Sequence, residues 1–543
     1  VDHFRTGRRP YTFPATVVVA QLLAVAAGLL GVWAGLPWWA ALTVAAVLGA
    51  GLFVRVGGRW PLTWAVSAWR HLCGRRAGIG VGDDFTAAGE TVGLHRVGGQ
   101  VLAVLEVLPP GPGPSRLTRD ACITVPYLPL SSLADCLEQN DVTLAGIDVV
   151  SHGSRTAEGT AVADVYDALI GPLPASGRRS VWVTLRFDVA ASAAAAARRG
   201  GGADGLSRTV AVAARRVIRT LADAGCPARI LSASEIESVC ARICRGVHPD
   251  AMARRWDHVP LTGARHVGAV VDPRRLSAQF LARAVAVPSL GTTLAVRIRP
   301  GRSGAVRVGA SVGWTVRDGV ARPRLPGLIV VHGRHRDALS ALLPVSAPEL
   351  DGLVPLRDVD RGRLDALQLP ATGCGQLVGA DVHGDAVAAR LTGPGVTDVY
   401  VAGELHVAQQ VVFRAVATGA RVLVRTDRPH TWATLVGAVA NPILLRLSDD
   451  VPGTDGAGSA VDTVVVDGVP APPARPGVTL VHVHPDPRLC PPARPDVAIV
   501  QPGGCGDRVV LTVGAVHLEL AVVTIPSEVA FVGRPTTALP APV

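Results

Sequence analysis

The chain has 543 residues, with 53 Lys and Arg against 43 Asp and Glu and a formal net charge of +10. That length exceeds what one compact core holds and predicts at least two globular units. Aromatic residues make up only 4% of the chain and its arginines are scattered, so a nucleic-acid partner is not expected: neither a stacking platform nor a recognition motif is present. The nine cysteines have no regular spacing, which argues for reduced thiols in a cytoplasmic setting rather than a disulfide framework.

In chain order, residues 1–12 are expected to be a cytoplasmic N-terminus and 13–56 a transmembrane hairpin. The run from Phe13 to Val32 has 20 residues without a formal charge, and the run from Pro37 to Val54 has 18. As a helix the first would be about 30 Å long, enough to cross a bilayer. Trp33, Trp38 and Trp39 in the linker "WAGLPWW" would anchor one membrane interface in lipid. Gly28, Gly31, Gly49 and Gly51 would let the two helices approach closely. Arg5, Arg8 and Arg9 before the hairpin, and Arg55, Arg59, Arg70, Arg75 and Arg76 after it, place both chain ends in the cytoplasm by the positive-inside rule. Residues 57–79 form a juxtamembrane linker. Trp60, Trp64 and Trp69 suit either an interfacial helix or one packed on the first soluble unit.

A first cytoplasmic α/β domain is expected over 80–290. Residues 91–107 read as a hairpin turning at Gly98–Gly99. The stretch "PPGPGPSR" (109–116) reads as a stiff loop. Strands are expected at 142–153 and 179–189, and helices at 129–141, 162–171 and 205–225. A strand and a helix follow in 228–246, with Ser234 as a candidate cap. A second α/β region is expected over 291–450. It opens with an antiparallel pair in 291–316 and contains a helix at Val407–Thr418, a strand at Arg421–Thr426 and a helix from about Thr431. Repeated short strands make 451–543 a β-rich C-terminal region.

The chemistry-bearing motifs are few. No nucleotide-binding loop or H-E-x-x-H helix is present. Asp148, Ser151 and His152 combine three catalytic residue types, but triad members normally meet from separate segments, and a strand-end turn explains them better. His482 and His484 would share a strand face, with no third ligand at matching spacing. Cys240 and Cys244 sit one helical turn apart and read as buried thiols. Arg414, Arg421, Arg425 and Arg428 surround the clearest helix–strand unit and suit a salt-bridged face as well as an anionic partner. The composition favours an assembly component without catalytic, metal or cofactor residues.

Several blocks then carry a resemblance. "GIDVVSHGSR" (146–155), "YDALIGPLPASGRRSVWVTLRFDV" (166–189), "RRGGGADGLSRTVAVAARRVIRTLADAGCPARILSASEI" (198–236) and "YVAGELHVAQQVVFRAVATGARVLVRTDRPHTW" (400–432) resemble the EccE family. This is a membrane component of the mycobacterial type VII secretion machinery. The resemblance implies a two-helix anchor in the inner membrane and a cytoplasmic region with a degenerate glycosyltransferase-like α/β fold. It also implies a structural role beside EccB, the EccC ATPase and EccD, with no catalytic set to carry over. Arg215, Arg216 and Arg219 on the 205–225 helix are candidate partner contacts by their charge. The alternative is a membrane-associated transferase that binds nucleotide sugars, for which Asp188 is the acid to nominate.

Overall fold

The computed structural model describes residues 13–52, 61–73, 78, 80–87, 89–302, 304–448, 461–489 and 494–533. Arg5, Arg8, Arg9, Arg55, Arg59, Arg75, Arg76 and Trp60 lie outside them, as do the side chain of Arg70 and the expected break at 452–459.

The two apolar runs form helices α1 (Phe13–Trp33) and α2 (Trp38–Gly51). The transmembrane hairpin expected from them is not what the structure contains. Among the described residues, no helix is long and apolar enough to cross a membrane. In the second run the apolar length overstated the helix. Pro37 holds extended backbone before α2 begins, and α2 stops at Gly51 after 14 residues. That is about 21 Å, against about 30 Å of hydrocarbon. The fold is instead mixed α/β on two large sheets, preceded by a packed helical hairpin.

Among the described residues, the first sheet has 12 strands. Its central path runs Glu90–Val97, Gln100–Val107, Arg178–Asp188, Gly146–Ser154, Gly291–Pro300, Val306–Val316 and Ala264–Val271, each antiparallel to its neighbour. The expected hairpin turns at Gly98 (φ 55°) and Gly99 (φ 76°). Two successive positive φ values suit the two-residue turn that matches strand twist, which glycine adopts without strain. Strands on both sides of the expected 290/291 boundary share this sheet, since Gly291–Pro300 pairs with Gly146–Ser154.

Both faces of the sheet are buried. Alternation sends Leu294, Val296 and Ile298 to a core shared with the helices Gly202–Asp223 and Ala278–Ala286. On the other face, Ala295, Trp182 and Val150 pack with the helix Ala233–Ile243 and with residues 339–350. The cap of that helix is Ser232, in a reciprocal capping box with Glu235, not Ser234. Ser232 is the residue whose extended backbone lets its hydroxyl accept from the amide three residues on.

The second sheet also has 12 strands among the described residues. Six are parallel, in the order Leu445–Ser448, Val422–Thr426, Thr463–Asp467, Thr479–His484, Asp398–Ala402, Val497–Val500. The helices Leu405–Ala417 and Pro429–Val439 cover one face. Strands Arg508–Val513 and Val516–Ala521 extend the sheet antiparallel, so the C-terminal stretch completes this sheet. The far edge is Pro114–Leu117 and Cys122–Ile123. The proline-rich stretch expected as a loop therefore ends in a strand next to that edge, with Pro114 as its first residue, where a missing N–H is tolerated.

The two sheets exchange chain. The helix Ala161–Ile170 lies between two first-sheet strands in sequence, yet Val162, Tyr166 and Ile170 belong to the second core. The Leu377 N–H donates to the Tyr166 hydroxyl oxygen at 2.7 Å. Arg155, 2% exposed, donates to the carbonyls of Gly171, Leu173 and Ala286 and to the Asp167 carboxylate.

Candidate functional site

The structure separates the motifs with apparent catalytic content. Along the strand Gly146–Ser154, Asp148 and His152 share a face and Ser151 takes the other. Asp148 is 2% exposed and accepts from Arg186 Nε and Arg299 Nη1, each at 2.6 Å. Burial works to raise its pKa, but Arg186, Arg299 and Arg297 hold the carboxyl well below the usual range. Arg297 and Arg299 also reach Asp351, at 2.6 and 2.9 Å. Burial brings the Arg297 guanidinium down to about 10. This network ties three strands to the segment Pro348–Leu353. It stiffens the fold and presents no reacting group. Sequence offered one signal for it: Arg297 and Arg299 occupy the same face of an otherwise apolar strand, so both needed buried acids.

Asp188 accepts from the Ala191 N–H at 2.9 Å and shapes the turn after its strand. Tyr400 lies across both His482 and His484, with ring centroids 4.6 and 5.7 Å away and planes within 10° and 8°. Among the described residues, no group of three or more His, Cys, Asp or Glu is placed to hold a metal. Cys240 and Cys244 are buried, which pushes the Cys240 thiol up to about 12 and Cys244 further. Arg414 pairs with Glu528, Arg421 with Asp462 and Arg428 with Asp467. The Asp467 carboxylate also accepts from Thr426 Oγ1 and Trp432 Nε1.

What the structure does assemble is a set of surfaces. A methyl group at Gly28 would stand 3.3 Å from the Ala45 Cβ, at Gly31 3.3 Å from the Ala41 Cβ and at Gly49 3.5 Å from the Ala24 Cβ. These three glycines lie in the α1–α2 contact. A methyl group at Gly51 would meet nothing within 4 Å among the described residues. Trp33, Trp38 and Trp39 are 87%, 74% and 61% exposed at the turn.

The second surface is the joint below. Helix α3 (Pro61–Cys73) packs on the first unit. Trp64 stacks on Trp256 at 5.9 Å and lies tilted against His332 at 4.9 Å, and His71 meets Trp256 edge-on at 5.6 Å. The His71 Nδ1 lies 3.0 Å from the Gly333 carbonyl oxygen, and Arg254 donates to the His71 carbonyl. Gly333 has φ 72°, and a Cβ there would lie 2.7 Å from Trp256. Only glycine leaves room for the ring and accepts the backbone. Of the two readings open for this helix, Trp64 shows the packed one, while Trp69 stays 69% exposed.

The third surface is the outer face of Gly202–Asp223. Arg215 Nε donates to Glu90 Oε2 at 3.1 Å, Arg216 Nη1 donates to the Gln139 carbonyl at 3.3 Å, and Arg219 is exposed. Val210, Ala214, Val217 and Leu221 on the opposite face fill the core.

Comparison with known proteins gives these surfaces a context. The family pattern described as "type VII ESX secretion system translocon, EccE" matches residues 175–269. These begin just before the strand Arg178–Asp188, contain the helix Gly202–Asp223 and reach into Ala264–Val271. The chain is 26% identical to the ESX-5 secretion system protein EccE5 of Mycobacterium marinum over 386 residues, 65% of this chain and 91% of the relative. It is 26% identical to EccE5 of Mycobacterium tuberculosis over 347 residues, 59% of this chain and 83% of the relative. It is also 26% identical to the ESX-2 secretion system protein EccE2 of Mycobacterium tuberculosis over 408 residues, 72% and 71% of the two chains.

Proposed function

The chain belongs to the EccE family of type VII ESX secretion proteins, and from that premise we propose that it is a non-catalytic structural subunit of the secretion assembly. In this reading it works at the inner membrane and braces a complex formed with EccB, the EccC ATPase and EccD. The observation that carries the reading is the similarity to secretion-system proteins along most of the folded chain, 65% of it for one relative and 72% for another. The surfaces support it in kind. The α3 joint holds that helix against the first unit, and a scaffold must hold its parts in fixed position in this way. The Arg215, Arg216 and Arg219 face projects from the stretch that the family pattern covers.

The test is recovery of the C-terminally tagged chain from its native host in mild detergent, with mass analysis of what accompanies it. The reading predicts a large assembly containing EccB, EccC and EccD. A lone chain, under conditions that keep such assemblies intact, overturns it. Replacing Arg215, Arg216 and Arg219 together by glutamate is expected to reduce partner recovery. Unchanged recovery removes that face from the interface.

A further inference from the structure

Two cysteines far apart in sequence meet where the sheets exchange chain. Cys122 lies in the edge strand Cys122–Ile123 of the second sheet and is partly accessible. Cys374 is 2% exposed, in the segment that enters the same sheet at Gln376. Both pack in the second core. The Cys122 Sγ lies 3.3 Å from the Thr124 hydroxyl. The Cys374 Sγ accepts from the Ser176 N–H and donates to the Ser176 carbonyl, each at 3.3 Å. Ser176 leads into the first-sheet strand Arg178–Asp188. The segment leading to Cys374 runs beside both neighbours: the Ala371 N–H donates to the Pro126 carbonyl at 3.2 Å, Tyr127 bridges Pro370, and a Cβ at Gly373 would lie 3.0 Å from the Arg179 nitrogen. This sets Cys122 and Arg179 beside Cys374, close enough for each to bear on its ionisation.

The arrangement has the parts of a thiol redox site. An accessible sulfur beside a cation and a hydrogen-bond donor attacks, and a buried sulfur in contact with it resolves. The two sulfurs divide their ionisation accordingly. The Cys374 thiol, then burial in opposition, then Arg179 and Thr124 bring Cys122 down to about 6, while its neighbour and burial push Cys374 up. The buried cysteines Cys136, Cys226, Cys240 and Cys244 are all raised, chiefly by burial.

We propose that Cys122 and Cys374 are a reversible redox pair that a hydroperoxide converts to a disulfide, stapling the edge of the second sheet to the segment entering it from the first. The Cys122 thiolate attacks one peroxide oxygen, the O–O bond breaks, and hydroxide leaves, giving the sulfenic acid. The Cys374 thiol then attacks that sulfur, loses its proton and expels water. One hydrogen peroxide and two thiols give one disulfide and two waters. The bond removes the S–H that Cys374 donates to Ser176, so oxidation alters the contact that links the two sheets.

The test uses the purified full chain with one equivalent of hydrogen peroxide, then alkylation and non-reducing peptide mapping. The expected result is a Cys122–Cys374 cross-linked peptide that dithiothreitol abolishes. In Cys374→Ser, the cross-link disappears and dimedone traps a sulfenic acid at Cys122. In Arg179→Gln, alkylation of Cys122 at pH 7 slows severalfold. Two results overturn the proposal: both residues remaining thiols while the exposed Cys73 or Cys505 oxidises, or Cys122 over-oxidising in the wild-type chain without a cross-link. Wild-type mapping decides the matter even where a variant fails to fold.

Discussion

His266 and His335 are both 0% exposed, and they make the fold acid-sensitive in a calculable way. Burial first, then the positive potential of neighbouring groups, brings each down to about 3. His335 Nε2 accepts from Arg322 at 3.2 Å, and His266 Nδ1 lies 3.3 Å from the Thr315 hydroxyl. Both are therefore neutral in the folded chain and titrate near the ordinary value of about 6.5 when unfolded. Their contribution is complete above about pH 6.5 and is lost as pH falls toward 3, because the unfolded chain takes up two protons that the fold refuses. Each histidine costs about 1.4 kcal/mol per pH unit. At pH 5 the pair costs about 4 kcal/mol, a large part of the roughly 5–15 kcal/mol that holds most domains together. The half-buried His152, lowered to about 4 by burial and Arg242, adds to the effect in the same direction. The assay is urea unfolding at several pH values between 7.5 and 4.5, comparing the wild type with His266→Gln. The variant's stability should fall less steeply with acid, by about one proton's worth, or about 1.4 kcal/mol per pH unit. Parallel pH profiles would show that His266 is not held neutral and would refute the reasoning.

Two further outcomes follow from buried contacts. Glu528, 0% exposed, receives Arg414 Nε at 2.7 Å and Nη2 at 3.0 Å and pins the C-terminal helix Pro526–Val532 to Leu405–Ala417. Glu528→Ala leaves a guanidinium buried without its acid and should cost about 3–5 kcal/mol by denaturant unfolding. A loss below about 1 kcal/mol would mean that the pair is solvated. Trp64→Ala should free α3 without unfolding the sheets. Hydrogen exchange over Pro61–Cys73 should accelerate while the strand Arg178–Asp188 stays protected, and the cost should be below the roughly 3–5 kcal/mol of a fully buried tryptophan. Gly333→Ala should reproduce that local loosening, and unchanged exchange in both variants would contradict the packed joint.

The local elements were the legible part of the sequence. The expected helix at 205–225 lies at Gly202–Asp223, and the strand expected at 179–189 lies at Arg178–Asp188. Apolar periodicity and a stop at Gly225 are local signals. What the sequence hid was held by distant partners. Pro114–Leu117 becomes a strand only because Ala386–Ala389 offers it an edge. Trp64 did not announce Trp256 and His332 as its neighbours. The helix Ala161–Ile170 reads as part of the unit around it, but its apolar face fits the other core. The second N-terminal apolar run misled for another reason: uncharged length in sequence does not fix where a helix starts and stops, and α2 closes after 14 residues. Cys122 and Cys374 carried no pairing signal, since neither has a cysteine at motif spacing.

The measurement that bears most directly on the structural role is deletion of the chain from its native host, read by native gel and by secretion. The structural account predicts that the large secretion assembly disappears or shrinks and that export into the culture medium falls with it. Re-expression of the wild-type chain should restore both. An assembly of unchanged size and composition in the deletion strain would contradict that account.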